Sequence, residues 1–153
     1  MTQNIKITVT AFIFHKDSLL LIKHKKTGNW LPVGGHSEPG ETLDETLKRE
    51  IKEEVNLDIR FLEDFEQSKD IPEDPSVKSL PKPFYIHVKE SSKGRKMNFD
   101  FLCATDDITQ LKILEDELDG HKWFTEDDIR NAEDLIKPIQ ILALRAFDVY
   151  HNL

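Results

Sequence analysis

Glu50, Glu53 and Glu54 are the residues whose types and spacing most directly suggest chemistry. On a helix turning about 100° per residue, with Glu50 at zero, Glu54 falls at about +40° and Glu53 at about −60°, so the three carboxylates share one side. By the same arithmetic Leu47 and Ile51 lie at about +60° and +100°, which sets the acids at the border of a buried surface. Like charges at i,i+4 destabilise a helix by a few tenths of a kcal/mol, and partial burial adds to that cost. A divalent cation reverses the sign, because hard ions such as Mg²⁺ take carboxylate and carbonyl oxygens together with substrate phosphates. The plain alternative is a solvated Glu/Lys helix, in which Glu45 and Arg49 form an ordinary i,i+4 pair. Against it, Lys48 and Lys52 lie on the far side from Glu50 and Glu54 and do not neutralise them. Gly34-Gly35, just upstream, offers backbone without side chains that a phosphate or metal can approach closely.

Several elements must position these residues. Thr42 to Val55 is the clearest helix, opened by a capping box of Thr42 and Glu45 and carrying an apolar ridge of Leu43, Leu47, Ile51 and Val55. Before it, Ile5–Phe14 and Ser18–Lys23 read as a strand hairpin turning at Lys16-Asp17. A basic run follows, then a turn at Thr27–Asn29, and then Trp30 to Gly35, which ends in flexible backbone. Beyond the helix come a strand over Ile59–Phe65, a long loop from Gln67 to Pro83, and strands over Phe84–Val88 and Met97–Ala104. A short strand around Lys122–Phe124, a helical turn at Thr125 with Asp128, and a helix from Lys137 to about Tyr150 complete the pattern. With no repeat or linker, the reading is one α/β domain over residues 1–153.

The 153 residues carry a net charge of −8, with 38% hydrophobic and 33% charged, a globular composition. An acidic chain lacks the basic face that polymeric nucleic acid requires. The acidity is concentrated: Glu38–Leu57 contributes −4 and Asp106–Asp119 contributes −5. The sole cysteine, Cys103, excludes an intrachain disulfide and fits a small buried apolar role. No apolar run approaches the roughly 20 residues that cross a bilayer, and residues 1–14 do not resemble a secretory signal. The expected location is therefore cytoplasmic, without membrane attachment.

Gly35, Glu41 and Arg49-Glu50-Ile51-Lys52-Glu53-Glu54-Val55-Asn56-Leu57 together resemble the Nudix box, Gx5Ex7REUxEExGU, where U is aliphatic. Eight of nine defined positions agree. Asn56 stands where the family usually has glycine, and asparagine is the commonest non-glycine residue in a left-handed cap. Leu31-Pro32-Val33-Gly34-Gly35 and Glu38-Pro39-Gly40-Glu41 also resemble the family's approach to the helix. The resemblance, to the Nudix hydrolase (MutT-like) family, covers essentially the whole chain. It implies an α/β/α sandwich with a central mixed β-sheet and Mg²⁺- or Mn²⁺-dependent hydrolysis of a nucleoside diphosphate linked to another group, by water attack on phosphorus. It further implies Glu53 and Glu54 as main metal ligands, Glu50 as ligand or general base, and the Gly34 carbonyl as an added oxygen. Glu41 and Arg49 would pair to hold the loop against the helix.

Many relatives bring a further acid about six residues before a tryptophan. Here Trp123 has Glu117 at that separation, with Glu115, Asp116 and Asp119 as competitors and a solvated acidic turn as the plain alternative. Trp30 is a core aromatic or a surface on which a base stacks, and Gly35 and Lys23 join it as candidate substrate contacts. His24 and His36 are surface or supporting residues. The ligand expected is a small nucleotide, and a homodimer is compatible with the family. Against the hydrolase stand a non-catalytic nucleotide-binding sensor with the same fold and an acidic interaction module. Retention of Glu41, Arg49, Glu50, Glu53 and Glu54 favours the hydrolase. No downstream signature selects among substrates.

Overall fold

The computed structural model describes residues 4–62 and 74–153. The chain runs through β1 (Ile5–His15), β2 (Ser18–His24), β3 (Trp30–Leu31), β4 (Val33–His36), α1 (Leu43–Val55), β5 (Arg60–Phe61), β6 (Tyr85–Ser91), β7 (Gly94–Ala104), β8 (Leu118–Phe124), α2 (Glu126–Asn131) and α3 (Lys137–His151). β1 is the organising strand. It pairs in parallel with β7 from Ile5↔Arg95 to Phe14↔Ala104, and antiparallel with β2 at the hairpin end and with β4 over Thr8–Ala11. β8 and β3 extend the sheet from β2, while β5 and β6 pair with β7. One parallel ladder among antiparallel ones makes the sheet mixed.

The period-2 alternation of the central strands sends side chains to two separate cores. On one face Val9, Ala11, Ile13, Leu20, Ile22, Phe101 and Cys103 pack against Leu47, Ile51 and Val55 of α1. On the other, Phe12, Phe14, Leu19, Leu21 and Leu102 pack against Ala143, Ala146 and Phe147 of α3 and Ile129 of α2. The sheet therefore lies between α1 and the α2–α3 pair, which is the expected α/β/α sandwich. Each fully buried Leu, Ile or Val of the α1 ridge contributes about 1.5–3 kcal/mol, enough to fix which side of α1 faces the sheet. Among the described residues no helix is long and apolar enough to cross a membrane.

Several boundaries differ from the sequence reading. β8 begins at Leu118, four residues before the expected segment, and β6 and β7 extend to Ser91 and from Gly94 around a tight turn in which Gly94 adopts φ 118°. Of the strand expected over Ile59–Phe65, Arg60–Phe61 is present and Leu62 continues the pairing through its N–H to the Leu102 carbonyl at 2.8 Å. Residues 63–65 and the first part of the expected long loop, 67–73, lie outside the described residues. Gly34 and Gly35 are not flexible backbone. They are strand residues of β4, paired with Thr10 and Val9.

Candidate active site

α1 starts as its capping residues dictate: the Thr42 backbone N–H donates to Glu45 Oε1 at 3.0 Å. Glu45 is thereby held at the helix N-terminus, and Arg49 takes other partners in place of the i,i+4 pair. Arg49 Nε donates to Glu41 Oε2 at 2.8 Å and Nη2 to Glu41 Oε1 at 3.0 Å, a two-bond fork. Nη1 donates to Glu50 Oε1 at 3.0 Å and lies 3.4 Å from Glu53 Oε2, while Nη2 also donates to the His36 carbonyl at 3.1 Å. A planar guanidinium has five donors and can serve all of these at once. The Arg49 bonds, followed by the Glu38 N–H, hold the Glu41 carboxyl down at about 2. Glu41 also accepts from the Thr46 hydroxyl at 3.0 Å, so loop 38–41 is tied to the first turns of α1.

Glu54 is 5% exposed. Its Oε1 accepts from the Gly34 N–H at 3.4 Å, and its pKa is pushed up to about 8, first by burial and then by the charge of Glu50, with Glu117 and Glu53 adding. Glu50 is also raised, by burial first, against the opposing Arg49 bond. Glu53 is exposed at the helix surface. Lys52 turns away to Asp58 at 2.9 Å, and Lys48 lies over the Phe61 ring, so neither base offsets this acidic side.

The two glycines serve packing. A Cβ at Gly35 would lie 2.2 Å from Glu50 Cδ, and one at Gly34 would lie 2.2 Å from the Val9 carbonyl oxygen. The close approach at Gly35 is thus made by the Glu50 carboxylate itself, which seats α1 against β4.

The second acidic segment reaches the first through the end of α1. Asn56 takes the left-handed conformation, φ 55° and ψ 44°, and its Nδ2 donates to the Gln110 carbonyl at 3.0 Å. The carbonyls of Val55 and Glu54, which have no partner within the helix, accept from Lys112 N–H at 3.0 Å and Leu114 N–H at 2.9 Å. These bonds dock the 110–118 loop on the helix terminus. Glu117 follows directly, its carbonyl accepting from Lys25 N–H at 3.0 Å, and a bulge between Lys23 and His24 absorbs Asp119. Of the four acids Glu115, Asp116, Glu117 and Asp119, Glu117 is the one whose charge acts on both Glu50 and Glu54. It also acts on His24, whose pKa burial lowers and Glu117 raises, a proximity that only the β2–β8 pairing creates.

Trp30 and Lys23 are not brought to these carboxylates. Trp30 packs edge-on against Phe124 in the α3-side core, its Nε1 donates to Asp134 at 3.2 Å, and Lys23 Nζ lies 5.8 Å from its ring centre. A cleft lined by Asn56, Asp58, Arg60, Thr105, Asp106 and Gln110 opens at the C-terminal end of α1 and takes in none of the four glutamates.

The donor set suits a hard divalent cation. It consists of carboxylate oxygens, one of them buried at a cost that a cation would remove, beside strand backbone. Among the described residues no three acids close into a finished ligand set.

Comparison with known proteins agrees with this fold. A model of the NUDIX domain matches residues 5–145. The crystal structure of a NUDIX-family hydrolase from Clostridium perfringens is 30% identical, covers 96% of this chain and 99% of its own, and superposes with a TM-score of 0.81. The C. elegans Ap4A hydrolase, in a binary complex, shares the fold at 18% identity and a TM-score of 0.70, over 97% of this chain and 98% of its own. The human 8-oxo-dGDP phosphatase NUDT18 is 41% identical over 54 residues, 33% of this chain. That aligned stretch spans 17% of the human protein. The chain belongs to the Nudix hydrolase family.

Proposed function

We propose that this protein is a divalent-metal-dependent pyrophosphohydrolase that cleaves a nucleoside diphosphate linked to another moiety, or a nucleoside triphosphate, by water attack at phosphorus. The observation that carries this reading is Glu54: a nearly buried carboxyl raised to about 8, first by burial and then by the charge of Glu50, with Glu117 and Glu53 adding. Such a group is costly in a purely structural role, and its surroundings are what a cation site requires. Relatives named Ap4A hydrolase and 8-oxo-dGDP phosphatase support the nucleotide class. We assign Glu53, Glu54 and Glu117 as carboxylate ligands, with the Gly34 carbonyl as a backbone oxygen.

A bound Mg²⁺ or Mn²⁺ supplies neutralisation of the diphosphate and acidification of water. Glu50, raised by burial, is the carboxylate suited to take the proton from the attacking water, and its bond from Arg49 Nη1 orients it. Arg49 and Glu41 fix loop 38–41 and keep β4 and α1 in register. The retained carboxylates favour this reading over a non-catalytic sensor. The test is a panel of nucleoside diphosphate derivatives and triphosphates, with Mg²⁺, Mn²⁺ or EDTA, following nucleoside monophosphate, phosphate and pyrophosphate release. Metal-dependent turnover of at least one member is expected. No turnover of any member by folded protein refutes the hydrolase and favours the sensor.

A further inference from the structure

The sheet face opposite α1 carries a second charge pattern, of the other sign. Lys6 on β1 is the parallel partner of Lys96 on β7, and Lys96 is the antiparallel partner of Lys89 on β6. Directly partnered residues point to the same face, and neighbouring strands lie about 4.8 Å apart, so the three lysine side chains leave the sheet as one lateral row. All three lysines are exposed, and none has an acidic partner among the described residues. His36 on β4 joins them one step along, as the partner of Thr8. Its pKa is lowered, first by burial and then by Lys96 and Lys6. Directly partnered residues share a face, so the register with Thr8 places its imidazole on the lysine side.

Behind the row lies a polar floor. The Thr8 hydroxyl donates to Asn98 Oδ1 at 2.6 Å, and Asn98 Nδ2 donates to Asp100 Oδ1 at 2.8 Å. The Thr10 hydroxyl also bonds Asp100, and His87 Nδ1 sits 2.9 Å from Asp100 Oδ2. Asp100 is 1% exposed, so this acid is turned into its own network and leaves the lysines uncompensated. Like charges on directly opposite strand positions are destabilising. In a chain with eight more acids than bases, a counter-charge was readily available, and the row calls for an external anion.

The row is joined to the proposed active site by a single strand. Gly35 faces Glu50, whereas the next residue, His36, lies on the lysine side and gives its carbonyl to Arg49 Nη2 at 3.1 Å. Among the described residues β4 pairs only with β1, and its Gly34 N–H and His36 carbonyl are taken up by Glu54 and Arg49, so a phosphate chain leaving the glutamates passes the edge of this one strand to reach the lysine face. We propose that Lys6, Lys89 and Lys96, with His36, form an anion subsite for phosphoryl groups of the substrate beyond the bond that is cleaved. This rests on the pyrophosphohydrolase reading for its location, and it selects substrates with a longer phosphate chain or a phosphorylated distal group.

Two measurements test it, one of which needs no turnover. In EDTA, calorimetric titration of the full chain with inorganic tripolyphosphate should show binding that the Lys6→Ala/Lys89→Ala/Lys96→Ala variant weakens by at least about tenfold, with a shallower salt dependence. A control of equal charge change, Lys48→Ala/Lys112→Ala/Lys137→Ala, should bind as wild type. An equal loss in the control, or retained binding in the first variant, overturns the subsite whether or not the protein is a hydrolase. Orthophosphate competing as well as tripolyphosphate would assign the row to free phosphate and overturn the substrate claim. In the kinetic arm, the first variant should raise KM for a nucleoside triphosphate by at least about tenfold with kcat little changed. KM for a nucleoside diphosphate linked to an uncharged group should not move, and an equal rise for both substrates overturns the proposal. Absence of turnover with intact tripolyphosphate binding would instead refute the hydrolase reading and leave the anion subsite standing.

Discussion

Replacing Glu54 with glutamine should stabilise the metal-free protein, and do so increasingly as pH rises. Glu54 is pushed from 4.5 to about 8 chiefly by burial, with Glu50 the largest charge contribution. A carboxyl whose folded-state pKa is raised disfavours the fold once the unfolded chain ionises. The penalty begins near pH 4.5, grows through neutrality and is complete above pH 8. At roughly 1.4 kcal/mol per pH unit the full penalty is about 5 kcal/mol, and at pH 5 it is under about 1 kcal/mol. For a domain of this size the larger figure corresponds to about 10–20 °C in thermal midpoint. The assay is urea and thermal unfolding of wild type and Glu54→Gln in EDTA at pH 5, 7 and 9. The two should nearly coincide at pH 5 and separate at pH 9, with the variant higher. Saturating Mg²⁺ should then raise the wild type and close the gap, because a cation favours the ionised form that burial penalises. Metal binding at pH 7 should also release close to one proton from wild type and markedly less from the variant. A gap that stays flat with pH in EDTA would refute the desolvation argument, and a gap that Mg²⁺ leaves open would refute the cation site.

Three further outcomes follow from local geometry. Gly35→Ala should cut turnover by at least about tenfold with little loss of stability, since its Cβ meets the movable Glu50 carboxylate, whereas Gly34→Ala should cost about 1–3 kcal/mol in urea unfolding because its Cβ meets the Val9 backbone oxygen. Asn56→Ala should cost about 1–2 kcal/mol, as a left-handed residue loses a tolerant side chain and its bond to Gln110, read as a lower urea midpoint at unchanged slope. Glu117→Gln should weaken Mn²⁺ binding, measured by electron paramagnetic resonance, by about tenfold or more, while Asp119→Asn leaves it unchanged; the reverse order would move the loop ligand to Asp119.

The elements nearest the site followed from local rules. α1 occupies Leu43–Val55 with Thr42 at its cap and Asn56 in the left-handed position, because capping boxes and αL caps are written in a few adjacent residues. The period of Leu47, Ile51 and Val55 fixed the buried face, and the same arithmetic set Lys48 and Lys52 apart from the glutamates. Local spacing failed at Arg49. Glu45 is four residues away, yet Arg49 is drawn to Glu41 by loop 38–41 folding back over the helix, and Glu45 is held by the cap. It also failed for Gly34 and Gly35, whose pairing with β1 depends on residues more than twenty positions earlier. Trp30 carries no local sign of which face of the sheet it will join, and strand pairing sent it to the α3 core.

What the sequence determined by itself was the kind of chemistry: carboxylates spaced on one helix side, a glycine pair before them, an arginine among them and a second acidic segment near Trp123. Those are properties of residue type and short-range geometry. The tertiary structure decided how deeply Glu54 is buried, which of four acids reaches it, and that three lysines from β1, β6 and β7 meet in one row. Each depends on strand register or on a loop docking to the end of α1. Such long-range contacts are fixed by how two apolar cores fill, and no spacing within a segment encodes them.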